Sequence, residues 1–263
     1  MEAGNKAGNI ETKIENAKKA IIELKNISFE TQGVKVINNI SCKFERGKTY
    51  ALIGASGSGK SSLLKISAGL ILPSEGTVEY NGADISRMNK AETKAFRVRS
   101  AFVFQDSALW ANQSIRQILE LPLKFHFPKM SASQLKEKIN QAVNLVGYNR
   151  NLDIRPAALS MGEKKLIAFA RAMLNQPELV FLDECTESLD EFSSKRLLNI
   201  MLQMKEEKKT IIFVTHDLNE VKELADYIFI IEKGNLYKII QKEEINSDKE
   251  IINLIKKELG NEI

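Results

Sequence analysis

The fold of this chain is decided by one glycine-rich stretch, Gly54-Ala55-Ser56-Gly57-Ser58-Gly59-Lys60-Ser61. An apolar run at residues 49–53 precedes it and predicts a strand, and residues 60–70 after it predict a helix. A glycine-rich loop between a strand and a helix that opens on Lys-Ser is the pattern of a phosphate-binding P-loop. The context therefore favours an anion-binding loop over a flexible Gly/Ser linker.

The chemistry of phosphate binding explains the residue types in this loop. Glycines let the backbone curl until several N–H groups face one anion at the positive end of a helix dipole. Lys60 is predicted to reach the β- and γ-phosphates of a nucleotide, and the Ser61 hydroxyl is predicted to ligate Mg²⁺. The candidate nucleotide-binding residues of the loop are Gly54, Ala55, Ser56, Gly57, Ser58, Gly59, Lys60, Ser61 and Ser62.

Length and composition indicate one large α/β domain with room for a subdomain, since the chain has 263 residues, 43% hydrophobic and 27% charged. The net charge of +4 is small and the lysines are dispersed, so no nucleic-acid partner is expected. No apolar run approaches the roughly 18 residues of a membrane span, and the polar start predicts no secretory signal. Cys42 and Cys185 lie far apart, as expected of reduced thiols in a cytosolic protein.

Hydrophobic patterns along the chain predict two sheets and a helical insertion. The even positions of residues 34–44, including Cys42, are apolar except for Asn38. This alternation indicates a half-buried antiparallel strand, which belongs to a side sheet formed near the start of the chain. Further on, strand patterns alternate with helical ones, which is typical of a largely parallel sheet covered on both faces. The expected fold class is α/β, with a mostly parallel sheet core, an antiparallel β subdomain and a helical subdomain.

Helix boundaries are predicted from capping boxes, in which a Ser is followed three residues later by Glu or Gln. Ser131 and Ser160 open two helices of the middle segment in this way, and Ser247 with Glu250 opens a last amphipathic helix. That last helix carries apolar residues from Ile251 to Leu259 and is interpreted as an ordinary terminal helix, a dimer clasp or a partner dock.

Two carboxylates are expected at the end of the apolar strand at residues 179–182. Ligands bind at the carboxyl ends of strands in an open parallel sheet, and Asp183 and Glu184 stand there. Asp183 suits Mg²⁺ through water, and Glu184 can polarise an attacking water. Such a pair is often only solvated, but the P-loop in the same chain favours the catalytic interpretation.

With its other motifs, the chain resembles the nucleotide-binding ATPase subunit of ABC transporters, from about Ile21 to Lys238. Gln105 matches the Q-loop of that family, residues 159–163 its signature motif, residues 187–190 its D-loop, and residues 214–217 its switch-histidine loop. Each motif is weak alone. Together with the strand that ends in Asp183 and Glu184 they are five, and five motifs in the family's order are very specific. The resemblance implies a P-loop NTPase fold of ABC type, built from a core at residues 21–105 and 176–238 and a helical subdomain at residues 106–175. A mobile tail (1–20) and a C-terminal helical extension (239–263) would flank it.

The resemblance also implies an ATPase that uses ATP and Mg²⁺. Two copies would stack head to tail, so that Ser160 and the Gly162 N–H meet the γ-phosphate held by the partner. Gln105 would contact Mg²⁺ and the attacking water, and His216 would hold the γ-phosphate and the water. The implied catalytic residues are Glu184, His216, Lys60 and Gln105, and the implied metal ligands are Ser61, Gln105 and Asp183.

The chain departs from the family pattern at several positions. Met161 stands where the family usually has glycine, Glu163 replaces a Gln, and Cys185 replaces a proline. Thr31 falls where an aromatic ring often stacks on adenine, while neighbouring Phe29 is expected to face the core. None of these changes removes a group that touches phosphate, metal or water, so an active ATPase is expected.

Alternatives from other classes remain. A soluble ABC ATPase acting on DNA or ribosomes would usually carry two cassettes or a long coiled coil, neither of which the sequence shows. A non-hydrolysing regulatory cassette is suggested by Met161, but the retained Glu184 and His216 argue against it. His126 lies between two phenylalanines and is interpreted as structural.

A finer resemblance concerns the cargo. The segment 104–110, which ends at Trp110, and the Leu121-Pro122-Leu123 run are similar to the ATPases of Mce/Mla-type lipid transporters. This similarity implies phospholipid or a related lipid as cargo, a membrane permease as partner, an Mce-type lipid-binding protein, and a cytoplasmic location at the inner face of the cell membrane. Other importers and exporters share parts of the segment and remain alternatives. Trp110 is interpreted either as a contact anchor for the permease or as core of the helical subdomain.

Overall fold

A computed structural model describes residues 20–247 and 249–260 and arranges ten strands in two sheets. The mobile tail predicted for the N-terminus lies outside the described residues except Ala20, which begins the first strand. The strands are β1 (Ala20–Thr31), β2 (Val34–Glu45), β3 (Thr49–Ile53), β4 (Glu75–Tyr80), β5 (Ala83–Asp84), β6 (Ser100–Val103), β7 (Leu179–Asp183), β8 (Thr210–Val214), β9 (Tyr227–Glu232) and β10 (Asn235–Gln241).

Helices pack on both faces of the larger sheet. The α-helices are α1 (Lys60–Ser67), α2 (Lys90–Arg99), α3 (Ile115–His126), α4 (Ala132–Leu145), α5 (Met161–Met173), α6 (Glu191–Glu206), α7 (Leu218–Leu224), α8 (Lys242–Ser247) and α9 (Lys249–Glu258). Short 3₁₀ turns occupy Ile85–Arg87 and Pro156–Ala158. Helices α3 to α5 fall in the segment predicted to be mainly helical. No helix of the described chain is long and apolar enough to cross a membrane.

The larger sheet has the strand order β10-β9-β3-β8-β7-β6, and β10 alone runs antiparallel to its neighbour. Its inner parallel strands β3, β7 and β8 are completely buried, as their continuous apolar composition predicts. In β3, for example, Tyr50 and Leu52 point into one hydrophobic core while Ala51 and Ile53 point into the other. The predicted mostly parallel sheet is confirmed.

The smaller sheet is antiparallel, with the order β2-β1-β4-β5, and packs on the core that also contains α1. The predicted alternation along β2 is wrong in its first half, because Val34 is 62% exposed whereas Ile37 is fully buried. The pairing of β1 with β2 shifts register repeatedly, and Asn39 has a left-handed φ of 44°, so the inward face changes. Beyond this irregularity Cys42 is buried as predicted, and Phe29 packs partly buried against the same core.

Capping boxes start the helices of the middle segment. Both predicted ones are present: the Ser131 hydroxyl accepts from the backbone N–H of Gln134, and the Ser160 hydroxyl accepts from that of Glu163. Ser114 begins α3 with a third. Helix α1 is shorter than predicted, since the chain leaves it at Ala68 and Gly69 takes a φ of 61°.

The last helix packs on the body of the protein. Ile251, Ile255 and Leu259 are buried in the larger core, which agrees with the apolar face predicted for this segment. Ser247 is the final residue of α8 rather than the cap of the last helix, and its side chain lies outside the described part of the chain.

Candidate functional site

Four neighbouring strands deliver their carboxyl ends to one edge of the larger sheet. The glycine-rich loop follows β3, His216 follows β8, Asp183 ends β7 and Gln105 follows β6. Because these four strands are adjacent and parallel, residues far apart in sequence meet at this edge. A cavity of about 230 Å³ opens there, lined by Val36, Ser56, Gly57, Gly59, Lys60, Ser61, Ser62, Gln105, Glu184 and His216.

The glycine-rich loop needs its glycines. Gly57 and Gly59 have φ values of 76° and 103°, which side chains rarely tolerate. A Cβ on Gly59 would also lie 2.7 Å from the side chain of Ile37 and 2.9 Å from the backbone oxygen of Val36. Gly59 caps helix α1 without a side-chain hydrogen bond, so the first N–H groups of that helix lack the usual side-chain acceptor. They face the cavity as an anion site would require.

Lys60 is a buried cation without a carboxylate partner among the described residues. Its ammonium donates to the carbonyl oxygens of Gly54 and Ala55, at 2.7 and 3.0 Å. Burial lowers the pKa of Lys60, while the negative charges of Glu184 and Asp183 act in the opposite direction. A phosphate would supply the anion that this ammonium lacks.

The Ser61 and Asp183 side chains form an oxygen pair suited to a hard cation. The Ser61 hydroxyl donates to Asp183 Oδ1 at 2.8 Å, whereas Asp183 Oδ2 is buried and has no hydrogen-bond partner. Lys65, with Nζ 3.9 Å from that second oxygen, is the cation beside it. Burial raises the pKa of Asp183, while the hydrogen bond from Ser61 and the charge of Lys65 act in the opposite direction.

These donors fit Mg²⁺ in a nucleotide complex. Within the described chain no group of three or more His, Cys, Asp or Glu side chains could hold a metal by itself. Mg²⁺ is commonly held by one or two protein oxygens, with phosphates and waters completing its shell. The orphaned oxygen of Asp183 beside the Ser61 hydroxyl matches that arrangement.

Glu184 is held between two polar side chains. The Gln105 amide donates to Glu184 Oε2 at 2.7 Å, and His216 Nε2 lies 3.3 Å from Glu184 Oε1. Burial raises the pKa of Glu184, His216 opposes this, and the nearby Glu187 carboxylate adds to it. A carboxylate with a raised pKa beside a phosphate-binding loop is suited to accept a proton from water.

The structure brings together the predicted loop residues, Asp183, Glu184, Gln105 and His216, but it leaves the signature residues elsewhere. Ser160 and Gly162 at the start of α5 do not line the cavity. Met161, between them, projects outward with 54% of its side chain exposed. The signature is therefore a separate surface in one chain, as the head-to-tail dimer implied by the resemblance requires.

Two cations on α5, the buried Lys165 and the partly buried Arg171, were missed by the sequence reasoning. Lys165 donates to the Glu184 carbonyl oxygen at 2.7 Å, and the Arg171 guanidinium donates to the carbonyls of Ser107 and Ala108 at 3.1 and 2.7 Å. Only Arg171 had a signal in the sequence, because it interrupts an apolar run of the helix, whereas Lys165 follows Glu163 and Lys164 at the polar start of the helix.

Trp110 lies at the protein surface, and His126 lies outside the candidate site. Trp110 is 47% exposed, with Arg171 5.8 Å from its ring centre, so it is not a core residue. His126 ends α3, away from the site, and burial together with the charge of Lys94 lowers its pKa. It stays outside the candidate site, as its sequence context indicated.

The sheet topology, the glycine-rich loop and the orphaned carboxylate oxygen define the P-loop class of nucleotide-binding proteins. The family model described as ABC transporter matches residues 37–187, more than half of the chain. The chain therefore belongs to the ABC transporter family, in agreement with the resemblance of its motifs.

Curated relatives of the chain bear the names of importer ATPases. The methionine import ATP-binding protein MetN 1 of Enterococcus faecalis is 32% identical over 81% of this chain. A MetN of Mannheimia succiniciproducens is 32% identical over 92%, and the sulfate/thiosulfate import protein CysA of Yersinia pestis is 34% identical over 85%. The chain spans 61%, 69% and 61% of the lengths of these three proteins.

Solved structures confirm the predicted fold class. The ATP-binding cassette MJ0796, in a dimeric post-hydrolysis state bound to ADP and Pi, superposes with a TM-score of 0.79 at 26% identity. The match covers 84% of this chain and 98% of that one. A second dimeric structure of the same cassette gives 0.79 at 27% identity.

Proposed function

We propose that this protein is the ATP-hydrolysing subunit of an ABC transporter. The single observation that carries the proposal is Glu184, held between Gln105 and His216 at the mouth of the cavity that the glycine-rich loop forms. A phosphate-binding loop alone would support binding, whereas a carboxylate with a raised pKa at its edge supports hydrolysis.

Each residue of the site has a role in this reaction. Lys60 and the backbone N–H groups of the loop bind the phosphates. Ser61, Asp183 and Gln105 would hold Mg²⁺, which neutralises charge on the phosphate oxygens. Glu184 accepts a proton from the attacking water, and His216 holds the water and the γ-phosphate oxygen.

A head-to-tail homodimer completes the site in this proposal. Ser160 accepts a hydrogen bond at a helix N-terminus that lies outside the chain's own cavity, where it is free to meet a nucleotide held by a second copy. The dimeric state of the cassette MJ0796 supports this assembly.

The decisive experiment compares ATP turnover by the purified protein with turnover by the Glu184→Gln variant. Loss of the base is expected to lower kcat by roughly 10² to 10⁴ while ATP still binds. Glu137→Gln, the same change at an exposed position of α4, is the control and keeps the parent rate. Equal rates for the parent and Glu184→Gln would refute Glu184 as the base.

The proposed partner is an integral-membrane permease that docks on the helical segment. Among the large apolar side chains exposed there are Trp110, Leu121 on α3 and Phe125, the last of which is 70% exposed. An apolar patch of this kind is typical of a protein interface. The permease would hold the chain at the cytoplasmic face of the membrane.

We propose a lipid as the cargo on one feature of the sequence, its similarity to the ATPases of lipid transporters. The segment ending at Trp110 and the Pro122 in helix α3 favour a lipid carried with an Mce-type partner. The relatives described above give this no support, since their names specify methionine and sulfate import, and a small-solute importer is the second candidate.

Affinity purification of the tagged protein from native membranes separates these candidates. Mass spectrometry of the copurified proteins and lipids is expected to find a permease, an Mce-type protein and phospholipid. Recovery of a permease with a different binding protein would refute lipid as the cargo and would still support the transporter assignment. No membrane partner would refute the transporter assignment.

A further inference from the structure

Helix α5 carries a lysine that is almost completely buried beneath the catalytic edge. Lys165 is 2% exposed, and its ammonium donates to the backbone carbonyl oxygen of Glu184 at 2.7 Å. The carboxylate of Glu187 lies 3.7 Å away and is more than half exposed. A buried ammonium directed mainly at one carbonyl is costly unless that contact matters.

The Glu184 peptide is held from both sides. Its N–H donates to the carbonyl oxygen of Val214 in β8 at 3.1 Å, while its own carbonyl accepts from Lys165. Between these bonds Glu184 has a φ of 47°, in the left-handed region that a β-substituted residue rarely adopts. Such a conformation persists only where the surroundings fix it. The direction of the Glu184 side chain therefore depends on both hydrogen bonds.

We propose that Lys165 is a positioning residue that holds Glu184 in its catalytic orientation through the backbone carbonyl, and that it thereby ties the base to helix α5. This inference rests on the proposed function, in which Glu184 is the base. The same helix begins at Ser160, whose hydroxyl would serve the nucleotide of the partner copy. The base for one nucleotide and the signature surface for the other are thus linked through one helix.

A purely structural role for Lys165 would have a different origin. Glu220 on α7 is 4% exposed; burial raises its pKa, and hydrogen bonds from Thr186 and Thr215 and the charge of Lys165 act against that rise. If Lys165 served only to neutralise Glu220, its removal would lower stability and leave the rate of the folded protein unchanged. The positioning role therefore predicts a slower hydrolysis rate, whereas the structural role predicts only a lower stability.

The test uses Lys165→Met, which removes the donor, and Lys165→Gln, which keeps an N–H donor without the charge. Single-turnover hydrolysis is measured beside ATP affinity and melting temperature. Lys165→Met is expected to lower the hydrolysis rate roughly tenfold to a hundredfold with ATP affinity within about twofold, since small displacements of a catalytic group have effects of that size. Lys165→Gln recovers most of this loss. Lys136→Met, the same change at an exposed position of α4, is the control.

A double-mutant cycle with Glu184→Gln decides the mechanism. If Lys165 acts through Glu184, Lys165→Met has no further effect once the base has been removed. An equal loss in both backgrounds, an unchanged rate in Lys165→Met, or a Gln variant no faster than the Met variant would overturn the proposal. Failure of Glu184→Gln to slow hydrolysis would instead refute the proposed function, so the two failures are distinguishable.

If Lys165→Met does not fold, the proposal is tested in a second background. Glu220→Gln then removes the buried charge that would otherwise be left without its counter-ion, and Lys165→Met is introduced in that background. A slow but folded double variant, compared with Glu220→Gln alone, supports positioning. A double variant as fast as Glu220→Gln overturns it.

Discussion

Glu184 shows how much a single residue depends on its surroundings here. Its left-handed backbone directs the carboxylate to Gln105 and His216, and burial keeps its pKa above the ordinary range. A folded-state pKa that is raised means that the folded protein binds this proton more tightly than the unfolded chain does. Ionisation of Glu184 therefore opposes folding as pH rises through the raised pKa, and the same ionisation makes the base available.

The pH dependence of hydrolysis follows from that pKa. The rate is expected to fall as pH decreases through the raised pKa of Glu184, so the acid limb should lie above the ordinary glutamate value of about 4.3. Glu187→Gln removes a like charge that raises this pKa and should move the limb to lower pH. The acid limb of the parent protein and its shift in Glu187→Gln are measured as single-turnover rates across pH, and circular dichroism checks that both proteins are folded. A limb unmoved in Glu187→Gln would contradict this electrostatic account.

At the scale of elements, α5 performs several tasks with one helix. Its N-terminus presents the signature residues. The buried Lys165 holds the backbone at Glu184, and the partly buried Arg171 holds it at Ser107 and Ala108. Ser107 and Ala108 also have positive φ values, 65° and 44°. Charge-assisted hydrogen bonds from one helix thus fix two loops whose backbones would otherwise relax.

A matched pair of capping residues separates the two duties of Ser160. Ser160→Ala and Ser131→Ala each remove one capping box and should each cost about 1 kcal/mol in the free energy of unfolding. Only Ser160→Ala should also lower ATP turnover, by roughly 10² or more, if its hydroxyl meets the partner's γ-phosphate. Chemical denaturation and turnover assays measure the pair. Equal turnover in both variants would remove Ser160 from the site.

At the scale of the whole molecule, the proposed head-to-tail dimer would complete a site that one chain forms only in part. The cavity gathers the glycine-rich loop, Gln105, Glu184 and His216, but no signature residue lines it. In that dimer, the cavity of each chain would face the signature surface of the other chain. ATP, bound between them, would be the main link, so hydrolysis would release the dimer.

Dimerisation is therefore expected to depend on intact nucleotide. Glu184→Gln with ATP and Mg²⁺ should elute at twice the monomer mass by size exclusion with light scattering, because the nucleotide is bound but not consumed. The same variant with ADP should remain monomeric, as should the parent protein after turnover. A monomer at saturating ATP would contradict the head-to-tail assembly.

Local sequence chemistry determined much of the fold. The glycine-rich loop with Lys60, the apolar strands and the two central capping boxes could be predicted because each depends on neighbouring residues and on periodicity. The register change in β2 could not, because it arises from pairing with β1, whose irregularities no local pattern encodes. The early end of α1 similarly reflects the turn at Gly69.

The sequence by itself determined which groups the site contains: the loop, Asp183, Glu184, Gln105 and His216. Only the tertiary structure decided how they are arranged, because the strand order places four loops side by side that are distant in the chain. It also decided that Lys165 is buried beneath Glu184 and that one oxygen of Asp183 has no hydrogen-bond partner. Burial and pairing are properties of packing between elements, and packing determines which charges are left to bind a ligand.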